Sequence, residues 1–221
     1  MKIIYKTGTG NQYPVEILHQ IIQPSEIPYN RQLTLAACQK GCSLFNRNGG
    51  CPPFAPDFLR ISKNYQKALF VLAKLHTENF PPRVLQGPYY VRWVFTESTI
   101  TRLLDRLGRE MVYQFPSAAF LGSGHCIGCK NKKCGFKLEI RRCTRPKDRT
   151  FSLEATGVLV TELVERLFGF PLHWWDRDNI DYIPPYMCKV VCLLANDSAE
   201  VKTMQSNVET YLSHHYEMMK S

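Results

Sequence analysis

Cysteine is the residue whose type and spacing most clearly predict chemistry in this chain. Segment 122–157 carries four cysteines with the spacing C-x2-C-x4-C-x8-C: Cys126, Cys129, Cys134 and Cys143. A [4Fe–4S] cluster takes four thiolates from an irregular loop, commonly from a close pair and a later ligand near a proline. Pro146 stands just behind the last of the four. The segment therefore predicts a metal site, and we favour an iron–sulfur cluster.

Zinc is the alternative metal for the same ligands. A structural zinc site with four cysteines commonly contains two C-x2–4-C pairs. Only Cys126 and Cys129 form such a pair, because eight residues separate Cys134 from Cys143. His125 is a further zinc ligand type, but a histidine beside a ligand more commonly supports the site from outside. The spacing favours iron–sulfur and leaves zinc as the alternative cofactor.

A second cysteine group lies upstream, in segment 38–56. Cys38, Cys42 and Cys51 have the spacing C-x3-C-x8-C, and Pro52 and Pro53 follow. Three cysteines suffice for a second cluster with one open iron, which would act as a Lewis acid or bind sulfur. They would alternatively help to hold the downstream cluster, or remain three buried thiols. We expect one or two [4Fe–4S] clusters in total.

Two further cysteines are predicted to serve packing. Cys188 and Cys192 lie four residues apart on a predicted strand, so they face the same side. Their neighbours are Val190, Val191 and Leu193. Core packing is the expected role, since free cysteine behaves as a small apolar residue.

Glu154 is the one weak candidate for a catalytic side chain. It lies near the start of a predicted helix, where the dipole favours a carboxylate, and we expect it to pair with Arg145 or Arg149. The alternative role is a proton donor beside a substrate on the cluster. The sequence leaves the reaction itself open.

The positive charge of the chain indicates which kinds of binding partner to expect. The chain has a net charge of +9, and nine basic residues lie between Lys130 and Arg149. These cations would offset cluster thiolates or dock an acidic redox partner. Direct nucleic-acid binding is less favoured, because Phe136 is the one aromatic residue within that run. We expect a redox partner protein or a small-molecule substrate. The alternative is a zinc-stabilised basic module that binds nucleic acid or an acidic protein.

Length and apolar patterning favour one domain without a membrane segment. The 221 residues are 44% hydrophobic, which is enough for one sizeable core. No run of eighteen apolar residues occurs, and the first residues lack the apolar region of a signal peptide. The nine cysteines then suit metal binding in a reducing compartment. We expect a cytoplasmic protein with a single domain over residues 1–221.

Strand and helix patterns alternate along the chain. Short apolar runs predict strands at 2–6, 13–18, 67–76, 117–121 and 187–194, whereas 90–96 suits a strand or the start of a helix. Helical spacing predicts helices at 31–37, 57–65, 99–114 and 153–168, and a last helix within 198–219. We therefore expect an α/β fold: a mixed sheet flanked by helices, with two cysteine-rich metal-binding loops.

Both cysteine groups together resemble a known family. The pattern C-x3-C-x8-CPP, then G-x-C-x2-C, then C-x2-P-x2-R-x2-S-x-E-A-x-G resembles a family of predicted metal-binding proteins, found mostly in anaerobic bacteria and archaea. The last part of the pattern is carried here by Cys143, Pro146, Arg149, Ser152 and Glu154, with Ala155 and Gly157. The resemblance implies metal binding of iron–sulfur type. It implies no particular reaction.

Overall fold

A mixed β-sheet organises the chain. The computed structural model describes residues 1–8, 10–129, 134–137, 140 and 142–219. Within these residues the sheet has seven strands in the order β5-β4-β6-β3-β2-β1-β7, antiparallel except for the parallel pair β4–β5. The strands are β1 (Lys2–Lys6), β2 (Gln12–Ile22), β3 (Lys67–His76), β4 (Ala119–Gly122), β5 (Phe151–Ser152), β6 (Tyr186–Ala195) and β7 (Glu217–Met218).

The two central strands are almost continuously apolar. β3 (KALFVLAKLH) and β6 (YMCKVVCLLA) pair along their full length, with Val71 opposite Val191. Such runs suit strands that are covered on both faces, because neither side of the strand meets water. The strand predicted at 67–76 is confirmed residue for residue, and the one predicted at 187–194 is extended by one residue at each end.

Helices cover both faces of this sheet, as predicted. They are α1 (Arg31–Gly41), α2 (Phe58–Ser62), α3 (Pro82–Leu85), α4 (Tyr89–Thr96), α5 (Arg102–Gln114), α6 (Leu153–Thr156), α7 (Val160–Phe168) and α8 (Ser198–His215). One core packs α5 and α8 on the face of Val71 and Val191. The other packs α2 and α7 on the face of Phe70 and Cys192. In the part of the chain that is described, no helix is long and apolar enough to cross a membrane.

One segment decides between two expected structures, and another differs from the pattern-based expectation. Residues 90–96 are helical and belong to α4, which continues through a π-helical turn, Glu97–Thr101, into α5. The single helix predicted over 153–168 is instead two, because Gly157 ends α6 with φ +109°. A Cβ at Gly157 would lie 2.6 Å from the Tyr29 ring, so close packing against the start of α1 requires glycine there. Ser152 caps α6 by accepting the N–H of Ala155, and Gly169 ends α7 in the left-handed conformation.

Candidate metal centre

The upstream cysteines lie at the end of α1 and in the loop behind it. Asn30 caps this helix by accepting the N–H of Leu33, and Cys38 lies in the last turns. Cys42 ends the helix, its N–H donating to the carbonyl oxygen of Cys38 at 3.0 Å. Cys51 follows in an irregular loop and is buried, whereas Cys42 is exposed. The sequence expectation of a helix leading into Cys38 therefore holds, and the helix extends beyond it to Gly41.

Arg31 fixes the end of the upstream loop from the first turn of α1. Its guanidinium donates to the carbonyl oxygens of Ala55 at 2.8 Å and Pro56 at 3.1 Å. It also reaches the carbonyl oxygen of Thr156 at 3.4 Å, at the end of α6. These contacts join the loop after Cys51 to the segment that follows the downstream cysteines.

Arg149 makes the corresponding connection from the downstream segment. Its Nε donates to the carbonyl oxygen of Gly49 at 2.8 Å, and its Nη2 donates to that of Phe54 at 2.8 Å. The same guanidinium lies over the Phe136 ring at 5.2 Å and the Phe151 ring at 4.8 Å. A planar guanidinium suits both tasks, because it presents donors at its edge and a flat face to the rings. Arg149 therefore serves the packing of the two loops.

Asn48 ties the two cysteine segments together directly. Its Oδ1 accepts the N–H of Gly50 at 2.9 Å, and its Nδ2 donates to the carbonyl oxygen of Cys126 at 3.2 Å. The residue is 6% exposed, so these bonds replace those that water would make. Cys126 is thereby held against the upstream loop although 78 residues separate it from Asn48.

Two glycines allow the backbones to approach around these cysteines. A Cβ at Gly50 would lie 2.4 Å from the carbonyl oxygen of Thr150 and 2.6 Å from the Cβ of Cys126. A Cβ at Gly128 would lie 2.1 Å from the carbonyl oxygen of Asp148. Any larger residue would therefore push the loops apart. Such a cradle brings backbone N–H groups close to sulfur.

Backbone N–H groups do point at two of the sulfurs. The N–H of Thr150 donates to the Sγ of Cys126 at 3.3 Å. Burial alone would raise the pKa of Cys134, but N–H groups of Gly49, Phe136 and Lys137 donate to its sulfur and hold that pKa below its ordinary value. The thiolate is the form that ligates metals, so this loop favours the ligating form of Cys134.

Cys129 lies in the same neighbourhood. Burial, followed by the negative charge of Cys134, raises the pKa of Cys129, and a hydrogen bond with the Thr144 hydroxyl opposes that rise. The charges of Cys126 and Cys143 raise it further. Because such effects act at short range, the four downstream cysteines of the predicted site share one region of the structure.

Cys51, from the upstream group, lies close to cysteines of the downstream group. Burial raises the pKa of Cys51 to about 12, and the charges of Cys42, Cys38, Cys126 and Cys134 add to the rise. Cys51 therefore lies within electrostatic reach of both groups. The two cysteine motifs, which are far apart in the sequence, converge on one place.

Glu154 lies near Cys38 of the upstream cysteine group. Burial raises the pKa of Cys38, and the charges of Cys42 and then Glu154 raise it further. The arginines expected to pair with Glu154 bind elsewhere: Arg145 contacts Asp148 at 2.6 Å, and Arg149 binds the loop carbonyls. Glu154 is thus a neighbour of a cysteine ligand candidate.

The converging cysteines fit a metal by their chemistry and surroundings. Soft thiolate donors suit zinc and iron–sulfur clusters, and the glycine cradle leaves backbone donors at the sulfurs. Among the residues that the structure describes, no group of three or more His, Cys, Asp or Glu side chains is arranged to hold a single metal ion. The sulfurs are therefore neighbours without a closed ligand geometry around one ion.

Cys188 and Cys192 stay apart from this centre. Both are buried on β6, in the core that contains Phe70 and Val164. Burial raises the pKa of Cys188 to about 12 and raises that of Cys192 as well. Both cysteines are therefore neutral thiols that pack in the core, as the sequence predicts.

Sequence reasoning missed the residues that hold the two loops together. Asn48, Arg31 and the Phe54–Phe136 ring pair, with centroids 4.4 Å apart, carry no motif of their own. A buried asparagine in a glycine-rich loop is at most a weak signal, because asparagine is common in turns anyway. Of the basic run between Lys130 and Arg149, residues 130–133, 138, 139 and 141 lie outside the described residues.

Comparison with known families gives one match. A family model described as "Predicted metal-binding protein (DUF2284)" matches residues 20–192, which include both cysteine groups. The chain belongs to this family. Metal binding is the property that this membership supports. No curated protein and no solved structure matches the chain.

In this DUF2284 member, substitution of Arg149 tests whether its contacts hold the two cysteine loops together. We expect Arg149→Lys to lower the free energy of unfolding by about 1.5–3 kcal/mol, the range for hydrogen bonds to charged groups. Lysine keeps the charge but cannot donate from two nitrogens to Gly49 and Phe54 while stacking on rings. Urea unfolding without oxygen measures the change.

Arg145→Lys is the matched control. Arg145 pairs with Asp148 at the surface, both side chains being more than a third exposed, and exposed pairs contribute about 0–1 kcal/mol. Equal effects of the two substitutions would contradict a special role of Arg149 in joining the loops.

Proposed function

We propose that this chain binds an iron–sulfur cluster of [4Fe–4S] type. Cys126, Cys129, Cys134 and Cys143 are the proposed ligands. The observation that carries the proposal is the position of Cys126 between the two cysteine segments. Asn48 donates to its carbonyl oxygen at 3.2 Å, and the N–H of Thr150 donates to its sulfur at 3.3 Å. Hydrogen bonds to sulfur are among the features that set the potential of iron–sulfur clusters.

The number of converging cysteines supports a cluster over a single zinc ion. A structural zinc ion takes four ligands, whereas Cys51 and its upstream partners add to the downstream four. We propose that Cys38, Cys42 and Cys51 either hold a second cluster or complete the first. The electrostatic contact of Cys51 with Cys126 and Cys134 supports a shared centre.

The surrounding side chains would exclude water and balance charge. The rings of Phe54 and Phe136 pack together, and Arg149 covers the latter. The arginine also brings positive charge toward a site that thiolates make negative. When bound, a cluster supplies one-electron transfer, and an iron without a cysteine ligand would supply an open coordination position.

Redox or sulfur-transfer chemistry is the proposed role of the centre. A redox protein or a small-molecule substrate is then the proposed partner. Glu154 is the carboxylate that we propose as a proton donor on the upstream side, since its charge acts on Cys38.

Iron and acid-labile sulfide content tests the proposal on protein purified without oxygen. We expect brown protein with about four irons and about four sulfides per chain for one cluster, or about eight of each for two. Iron in that proportion with sulfide-to-iron absorption in the visible spectrum supports the proposal. Colourless protein that holds one or two zinc ions overturns it and favours the zinc-stabilised basic module.

A further inference from the structure

A π-helical turn lies beside the downstream cysteine segment. It covers Glu97–Thr101, between α4 and α5. Such turns are rare and frequently accompany functional sites, because they redirect one side chain out of the regular helical array. Here the first residue of the turn is Glu97, whose side chain is 15% exposed.

Glu97 connects three parts of the fold. Its Oε1 lies 2.5 Å from the Nζ of Lys189 on β6. Its Oε2 accepts the hydroxyl of Thr101 at 3.0 Å, and a Cβ at Gly124 would lie 3.5 Å from that same oxygen. One carboxylate oxygen thus faces the lysine while the other faces the loop that leads to Cys126.

Lys189 is an unusual residue for a strand as buried as β6. It is the one charged residue of β6, where the other nine residues are buried. A largely buried ion pair contributes little to stability once desolvation is counted, so stability alone is a weak reason for it. Its position has a clear electrostatic consequence: the lysine offsets a carboxylate that would otherwise act on the loop alone.

The metal centre lies within reach of this pair. Gly124 precedes Cys126 by two residues, which places their Cα atoms at most about 7 Å apart. Because Glu97 Oε2 lies 3.5 Å from the Cβ position of Gly124, the carboxylate is on the order of 10 Å from Cys126. Partly buried charges still interact over such a distance, because little water screens them. The potential of an iron–sulfur cluster responds to nearby charge as well as to hydrogen bonds.

We infer that Glu97 and Lys189 tune the metal centre from outside its ligand loops. Glu97 disfavours the reduced, more negative cluster, and Lys189 opposes that effect. Both are positioning and tuning residues and neither is a ligand. The inference rests on the proposed cluster and adds the residues that regulate its potential.

Reduction potentials of charge-neutral variants test the inference. In Glu97→Gln the amide keeps the size of the side chain, and the uncompensated Lys189 should raise the potential. In Lys189→Gln the uncompensated Glu97 should lower it. The double variant should return close to the wild-type value. Anaerobic redox titration followed by visible absorption measures all four proteins.

The signs of the shifts in reduction potential distinguish electrostatic tuning from a structural role of Glu97 and Lys189. A variant that only loosens the loop would shift the potential without regard to the sign of the lost charge, and the double variant would not recover. If Lys189→Gln does not fold, the double variant still decides, because it must reverse the rise caused by Glu97→Gln. Glu209→Gln, which removes a carboxylate paired with His19 at 3.0 Å, is the control for charge loss on α8.

The proposed function and this inference fail in different ways. Absence of an iron–sulfur cluster from anaerobically purified wild-type protein overturns both. A cluster whose potential is unchanged in the single variants, or shifts the same way in both, overturns the inference and leaves the proposed function standing.

Discussion

Cys134→Ser is expected to lose the cluster held by the downstream cysteines. Burial alone would raise the pKa of Cys134, but hydrogen bonds from the backbone N–H groups of Gly49, Phe136 and Lys137 hold that pKa below its ordinary value, which favours the ligating thiolate. A serine hydroxyl occupies similar space but is not a thiolate at neutral pH. Loss of an outer partner of a ligand commonly costs about 10–100-fold in affinity, so loss of the ligand should exceed about 100-fold. Metal and sulfide content on anaerobically purified protein measures the effect.

Cys188→Ala is the control for that experiment. Cys188 is a buried thiol on β6 that packs against apolar neighbours, and alanine is the closest apolar replacement. We expect wild-type metal content with a modest loss of stability. Wild-type metal content in Cys134→Ser would exclude Cys134 as a ligand, whereas loss in both variants would mean that folding rather than ligation had failed.

Gly50→Ala is expected to separate the two loops. The added methyl group would lie 2.4 Å from the carbonyl oxygen of Thr150, 2.6 Å from the Cβ of Cys126 and 3.0 Å from its nitrogen. Two of these atoms belong to backbone, so no side-chain rotation relieves the overlap. Overpacking of this kind costs about 1–3 kcal/mol. Urea unfolding measures the loss of stability, and the metal content should fall with it because Cys126 is displaced.

Gly41→Ala is the matched control in the same region. Gly41 is the last residue of α1, and no heavy atom of the described residues beyond its own helix and chain neighbours lies within 4 Å of a Cβ placed there. Alanine is favoured over glycine in a helix by about 1 kcal/mol, so stability should be unchanged or higher. Equal losses in Gly41→Ala and Gly50→Ala would contradict the close approach of the loops.

Some arginines of the basic run between Lys130 and Arg149 make contacts within the protein. Arg149 binds backbone carbonyls of the upstream loop, and Arg145 pairs with Asp148. Arg109 on α5 also donates to the carbonyl oxygen of Asp148 at 3.1 Å. Charge that holds backbone segments together is less available to a phosphate backbone. These contacts favour the metal-centre hypothesis over a nucleic-acid interface for this part of the segment.

Local patterns predicted most of the regular elements. Apolar runs gave β3 and β6, and helical spacing gave α5 and α8 with small errors at their ends. The prediction over 153–168 failed at Gly157, because the chain leaves the helix there and bonds to a distant segment. The N–H of Asn30 donates to the carbonyl oxygen of Gly157, and the N–H of Leu159 donates to that of Pro28. The π turn at Glu97 was also missed, because apolar spacing alone does not distinguish it from the α-helices on either side. The contacts of Glu97 with Lys189 and with the loop at Gly124 join segments far apart in the sequence.

The sequence by itself distinguished the cysteines that are candidate metal ligands from those that pack in the core. Cysteine type, spacing and flanking proline and glycine distinguish Cys126–Cys143 and Cys38–Cys51 from Cys188 and Cys192, because ligand loops and apolar strands differ locally. Only the tertiary structure decided that the two motifs converge. That convergence depends on Asn48, Arg149 and Gly50, whose contacts bridge segments far apart in the chain. Spacing along a sequence cannot encode such contacts, since they exist only after the sheet has brought the loops together.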